Sequence, residues 1–368
     1  MNASGGINQL SIISVTTAKQ SNLKNLGSTY VNRDGATNIN ISSCRGLNGE
    51  DIMTDPVRMG IVGCSHACKD LHRPWLANMT DKFDVRALCD LNKELAESEA
   101  KEFGGNAVSE DSLESMLARD DIEVVAVWTK PPTTHYIVAK QVLAAGKDCW
   151  IEKPFAQTAE ECDELLALAK KNGVNLFVHQ NRRWDANYQK AKAIYDSGKL
   201  GVIDFVQVGF GPFSLDWGVH VIDQALRFGN GKLLQVYGWS PNSEDPEGRA
   251  ASVDFIFERP PAVRIQFMPT SPATLDIQKF ARFYLVGNAS IKDGRKFDVV
   301  PTGEDWPDQA QMYRHLYAWM REDAPRPLDP IGARNAIYAA DLMLKSARLK
   351  KSITPDKWME EDDAPSVV

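Results

Sequence analysis

From Val57 onward, short apolar or β-branched runs alternate with amphipathic stretches, the pattern of βαβ units on a parallel sheet. RMGIVG, DVRALCD, EVVAVWT, DCWIEK and NLFVHQ read as its strands. Helices are legible between them. In TAEECDELLALAKKNG, Thr158 is placed to cap, Glu161 follows as in a capping box, and Gly173 closes the element. This first body ends near Gln180, and a further helix reaches about Ser197. The pattern then changes: VIDFVQVGFGPF, LLQVYGWS, AASVDFIFE, AVRIQFMP and KFARFYLVG alternate with turn residues and predict a mostly antiparallel sheet. An amphipathic helix pair, residues 309–322 and 331–349, closes the chain. The predicted class is α/β followed by α+β. It is organised as a polar extension (1–56), a parallel-sheet domain (57–180), an antiparallel-sheet domain (181–353) and a tail (354–368).

One early helix of the second body, in SLDWGVHVIDQALRFGNG, is apolar in most directions yet carries Asp216, His220, Asp223 and Arg227. Each helical residue turns about 100°, so these four share one narrow stripe. A bland account pairs Asp216 with His220 and Asp223 with Arg227, each pair contributing about 0.2–0.5 kcal/mol. A functional account makes the stripe line a cleft. Histidine titrates near neutrality and suits a general base, and a carboxylate one turn away can hold its tautomer. On that reading Asp216 and His220 serve chemistry, while Asp223 and Arg227 serve structure.

Composition narrows the function. The 368 residues carry a net charge of -7, with a sequence pI near 5.5, which disfavours nucleic acid and anionic membrane surfaces as partners. With no apolar run long enough to span a bilayer and no signal-peptide pattern, the expectation is a cytoplasmic protein. Residues 1–56 are rich in Asn, Ser, Thr and Gly, and LSIISV is their one apolar patch, so they read as a tail or arm. The six cysteines lack the regular spacing of a disulfide framework and are expected to be reduced. Cys64, His66, Cys68 and His72 lie close together, but their spacing fits no common zinc pattern, and no metal is expected.

That cluster lies instead where a nucleotide-binding turn is expected. In GIVGCSHACKD, Gly63 supplies the first position of a pyrophosphate turn, whereas Ser65 and Cys68 stand where further glycines belong. Asp90 ends the second strand in LCDLN, placed to accept from a ribose 2′-hydroxyl and repel a 2′-phosphate, which favours NAD over NADP; its alternative use is to cap the helix that follows. Ligands of open parallel sheets sit beyond the strands' carboxyl ends. Two such ends stand out: VWTKPPTTH, with Thr129, Pro131 and His135, and WIEKPF, with Glu152 and Lys153. A lysine directly after a buried strand suits polarising a hydroxyl or carbonyl or binding an anion. Asn181, Arg182, Arg183 and Trp184 follow the last of the parallel strands, and their arginines suit either a polyol or a bridge between domains. His179 reads as a packed strand-end histidine.

From about Arg58 to Ile353 the sequence resembles the glucose-fructose oxidoreductase, inositol dehydrogenase and MocA family (Gfo/Idh/MocA). The resemblance rests on GIVGC, CDLN, TKPPTTH, EKP, NRRWD, GKLG and the D-x-x-x-H spacing of DWGVH. NRRWD and HVIDQAL look most like the scyllo-inositol dehydrogenase branch. The resemblance implies an N-terminal Rossmann domain and a C-terminal domain whose large sheet covers the nicotinamide. It implies cofactor contacts at Gly63, Ser65, His66, Ala67, Asp90, Thr129, Pro131, His135, Glu152 and Lys153. Lys153 and His220 match the family's catalytic lysine and histidine, Asp216 matches the acidic residue one turn earlier, and Asn181, Arg182 and Arg183 join these three in contacting substrate. Two departures stand out: Ser65 and His66 replace the usual turn glycines, and the stretch between GKLG and DWGVH is short.

The expected function is an NAD(P)-dependent oxidoreductase acting on a secondary hydroxyl of a sugar, polyol or cyclitol, with NAD as cofactor and NADP as the alternative. Two other readings share these residues: a glycosidase or lyase that oxidises its sugar transiently, and a non-catalytic member with weakened cofactor binding. A homo-oligomer, dimer or tetramer, is expected.

Overall fold

The structure is a computed structural model that describes residues 55–242, 251–268, 281–287, 297–299 and 309–360. The predicted extension, apart from its last two residues, lies outside the described residues. The first sheet holds β1 (Val57–Val62), β2 (Phe83–Cys89), β3 (Val108–Ser109), β4 (Val124–Val127), β5 (Asp148–Ile151) and β6 (Leu176–Val178). All its pairings are parallel, in the order β3-β2-β1-β4-β5-β6. The five predicted strands are present. β3 escaped the pattern because two residues have no period to read. A π-helical stretch (Ala67–His72) running into α1 (Arg73–Leu76), then α2 (Lys93–Phe103), α3 (Leu113–Leu117), α4 (His135–Ala144) and α5 (Ala159–Asn172) accompany this sheet. Strands covered on both faces are apolar throughout, and every residue of β4 and β6 is buried. Strand order reverses between β1 and β4, which opens a crevice at their carboxyl ends.

After α6 (Ala186–Asp196), the second sheet holds β7 (Ile203–Phe210), β8 (Asn230–Trp239), β9 (Ala251–Arg259), β10 (Ala262–Phe267), β11 (Arg282–Gly287) and β12 (Phe297–Val299), in the order β12-β11-β7-β10-β9-β8. One central pair, β7 with β10, is parallel, and the others are antiparallel. Val263, Ile265 and Phe267 alternate into the core with Phe283 and Leu285, as a strand period of two requires.

Helix α7 (Leu215–Leu226) begins at Ser214, whose side chain accepts from the Trp217 N–H. Its Val221, Ile222 and Ala225 pack on the second sheet, whereas Val219 joins the core of the first. A helix buried on two flanks is apolar nearly all round, which explains the sequence pattern.

Two segments pack across the boundaries expected from sequence. Helix α8 (Gln309–Arg321), assigned from sequence to the second domain, sends Met312, Tyr313, Leu316 and Tyr317 into the core of the parallel sheet. Arg321 ties its end to the carbonyl oxygens of Asp55 (2.8 Å) and Pro56 (3.3 Å). An amphipathic helix shows from sequence that it has an apolar face, but not which sheet receives it. The expected tail is also docked in its first part. Tyr338 of α9 (Pro330–Leu349) donates to Asp356 Oδ1 at 2.5 Å, and Arg334 donates to the Lys357 carbonyl oxygen at 2.6 Å.

Candidate active site

The turn after β1 is closed against the end of β4. Gly63 has φ +94°, and a Cβ there would lie 2.7 Å from Thr129 backbone atoms, so both conformation and space require glycine. The Cys64 N–H donates to Asp90 Oδ2 at 2.8 Å, and the Asn92 N–H donates to Asp90 Oδ1 at 2.8 Å. Asp90 thus fastens the turn to the end of β2, and Asn92 caps α2 by accepting from the Leu95 N–H at 3.2 Å. Ser65 is half-buried and Ala67 buried, while exposed His66 has Nδ1 2.7 Å from Asp70 Oδ2. The cysteine–histidine cluster does not converge: Cys64 and Cys68 are buried, His66 faces Asp70, and His72 faces Glu152.

His135 joins the two strand-end loops. Its Nδ1 lies 2.7 Å from the Pro154 carbonyl oxygen and its Nε2 3.0 Å from that of Thr129. Burial lowers its proton affinity, and a neutral ring donates to one of these oxygens at a time. Pro131 is exposed at the same loop. Glu152 is buried behind it. Its Oε1 lies 2.9 Å from His72 Nε2 and 2.5 Å from His179 Nδ1, and its Oε2 accepts from the Lys153 N–H at 3.1 Å. Burial by itself would raise the Glu152 carboxyl, but His179 and His72 overturn this and hold it well below the usual range. The donor atoms of His72, Glu152 and His179 lie within 4.8 Å of one another, and His179 Nε2 is buried without a hydrogen-bond partner among the described residues.

Lys153 reaches from the end of β5 to the start of α7. Its Nζ donates to Asp216 Oδ1 at 2.7 Å and to the Asp216 carbonyl oxygen at 3.1 Å. It also lies 5.4 Å from the centre of the Trp217 ring, which Arg182 approaches at 5.8 Å. Trp217 is 42% exposed, and His220 is 4% exposed with ring centres 6.2 Å apart from Trp217. Among the described residues, His220 Nδ1 has no hydrogen-bond partner. Burial first, then the Lys153 and Arg182 cations, push the His220 imidazole well below its ordinary pKa, so it is neutral at pH 7.

Asp216 binds Lys153, and Asp223 takes a bidentate bond from Arg183, with Nε at 2.8 Å and Nη2 at 2.6 Å. Arg183 therefore bridges to α7. Arg182 is buried with Nη1 3.2 Å from Asp185 Oδ2, and the Asn181 carboxamide oxygen is buried without a partner among the described residues. Sequence reasoning gave no role to Trp217 and Tyr313, and weighed His72 only as a metal ligand. An aromatic between Asp216 and His220 was the available signal for the first, and no local signal marked Tyr313.

A six-stranded parallel sheet with a glycine turn at its switch point and a lysine at the end of β5, facing an aspartate and a histidine on α7, has the architecture of a dinucleotide-binding fold. Residues 57–180 match the model of the oxidoreductase family with NAD-binding Rossmann fold. The scyllo-inositol 2-dehydrogenase (NADP(+)) IolW of Bacillus subtilis is 30% identical over 349 residues, covering 81% of this chain and 96% of that protein. The chain belongs to the Gfo/Idh/MocA oxidoreductase family. An uncharacterized oxidoreductase of Schizosaccharomyces pombe, C115.03, is 32% identical over 190 residues, so that the chain spans about half (51%) of that relative's length. The WlbA dehydrogenase of Bordetella pertussis, solved with NADH and UDP-GlcNAcA, shares the fold with a TM-score of 0.68 at 19% identity, covering 83% of this chain and 99% of that one. No helix among the described residues is long and apolar enough to cross a membrane.

Proposed function

We propose that this protein exchanges a hydride between a nicotinamide cofactor and the carbon of a secondary hydroxyl on a polyol, cyclitol or sugar. The carrying observation is the convergence of Lys153, Asp216 and neutral His220 where the crevice of the parallel sheet meets α7. The residues fit a dinucleotide: Gly63 gives a turn without side-chain bulk, and partly exposed Asp90 spends one contact per carboxylate oxygen, leaving acceptor capacity. Gly63, Ser65, His66 and Ala67 would hold the pyrophosphate, Asp90 the adenine ribose, and Thr129, Pro131, His135 and Glu152 the walls beside the nicotinamide. When bound, the cofactor supplies the hydride acceptor or donor.

The chain's own residues handle the proton and the charge. His220 takes the hydroxyl proton, and its depressed pKa keeps it ready to do so at neutral pH. The Lys153 ammonium stabilises the alkoxide that develops as that proton leaves. Asp216 holds Lys153 in place, a different task from the tautomer control expected of it. Trp217 offers an aromatic face to the C–H side of a ring substrate. Asp90 favours NAD over NADP. Screening NADH and NADPH formation against inositols, sugars and linear polyols tests this reading. Formation of NADH with a cyclic polyol is expected, and no reduced cofactor from any member of the panel overturns it.

A further inference from the structure

Behind Lys153, three side chains able to ligate a metal converge from three separate segments. His72 ends the π-helical stretch after β1, Glu152 directly follows β5, and His179 directly follows β6. One donor atom from each lies within 4.8 Å of the others, and all three residues are buried. His72 Nε2, at 2.9 Å, and His179 Nδ1, at 2.5 Å, approach the same atom, Glu152 Oε1. Donors around a tetrahedral zinc ion, with bonds of about 2.0–2.1 Å, stand about 3.3 Å apart, so both contacts need to open by less than about 1 Å to admit one. Hydrogen bonds do not close this group. The His179 ring is 5% exposed, yet neither of its nitrogens has a hydrogen-bond partner among the described residues, because the Glu152 oxygen beside Nδ1 lies off the ring's bonding axis. A buried imidazole with two unused nitrogens is rare in a folded chain, and a bound ion is one way to employ it.

We propose that His72, Glu152 and His179 form a site for a divalent transition metal, zinc in the first instance, that ties the ends of β5 and β6 to the helical segment after β1. The surroundings are those that orient metal ligands. A ligating histidine gives its other ring N–H to a hydrogen bond, and His72 Nδ1 meets Tyr313 Oη at 2.6 Å. Trp128 stacks on the same ring at 3.8 Å. Glu152 Oε2 accepts from the Lys153 N–H at 3.1 Å, which leaves Oε1 turned to the two histidines. Two imidazoles and one carboxylate suit zinc and its transition-metal neighbours, whereas calcium and magnesium take oxygen donors. Of the cysteine–histidine cluster weighed for zinc in the sequence, His72 alone takes part.

Zinc sulfate added to the chelator-treated full-length chain tests the site, both in the folded state and during refolding from urea, because a buried site fills most readily as the chain closes around it. Bound metal is counted after desalting. One equivalent is expected, together with a higher thermal unfolding midpoint. His72→Gln and His179→Gln are expected to retain no zinc, whereas His66→Gln, at the exposed contact with Asp70, keeps the full equivalent. The wild type loaded with cobalt(II) gives a reading that depends on no variant: one equivalent should show the intense visible absorption of a four-coordinate ion. Failure to retain zinc in both the folded and the refolding chain overturns the proposal. So does a full equivalent in either His72→Gln or His179→Gln, or a cobalt spectrum no stronger than that of the hydrated ion. None of these measurements reads turnover, so a chain inactive on every polyol would refute the proposed function and leave the metal site standing.

Discussion

Lys153 Nζ lies 2.7 Å from Asp216 Oδ1 and 3.1 Å from the Asp216 carbonyl oxygen, joining residues 63 apart in sequence across the gap between the two sheets. The pair fixes an ammonium, 15% exposed, beside a buried neutral imidazole. Lys153→Met removes that charge while keeping the stem. We expect kcat to fall about 10²–10³-fold, with NADH binding, read by fluorescence titration, unchanged. Retention of wild-type kcat would remove Lys153 from the chemistry.

His220→Asn keeps a polar side chain and loses the base, and kcat is expected to drop about 10²–10⁴-fold. In the wild type, activity requires neutral His220, so kcat/KM should fall on the acid side only as pH descends through a pKa well below the ordinary 6.5. An acidic limb centred at or above pH 6.5 contradicts the burial of this ring.

Stability should follow His72. Its folded pKa of about 4 lies below the ordinary 6.5, so from pH 6.5 downward the unfolded chain binds a proton that the folded ring refuses. The contribution is complete above pH 6.5 and is lost by pH 4, amounting to about 3 kcal/mol. Urea unfolding at pH 7, 5.5 and 4.5 measures it, and Tyr313→Phe, which removes the hydroxyl facing Nδ1, should lower stability most at neutral pH.

Asp90→Asn keeps an acceptor for the Cys64 N–H and deletes the negative charge. The NADP-to-NAD ratio of kcat/KM should rise about tenfold or more. If the ratio stays constant, cofactor choice is made elsewhere in the crevice.

Asp223→Ala leaves the buried Arg183 guanidinium without its bidentate partner on α7. The expected cost is about 3–5 kcal/mol, seen as a lower unfolding midpoint. A loss under about 1 kcal/mol would mean that water or a neighbour replaces Asp223.

The sequence by itself determined the elements, because strand and helix periods are local: five of the six parallel strands, the run of β7 to β11, and the stripe of α7 were all legible. It also marked Lys153, Asp216 and His220 as candidates, through a charge at a buried strand end and polar positions on an apolar helix. Their partners were decided only in three dimensions. Asp216 and His220 lie one turn apart and invite pairing, yet Lys153 comes closer to Asp216 because β5 ends opposite the start of α7. His72 meets Glu152 from 80 residues away and Tyr313 from 241, distances over which no periodic pattern carries information. The same limit explains α8: amphipathicity specifies an apolar face, and the sheet it covers is settled by which surface remains open when the chain returns. Local backbone preference and hydrophobic period fix what each segment becomes, whereas the pairing of buried charges depends on which segments burial forces together.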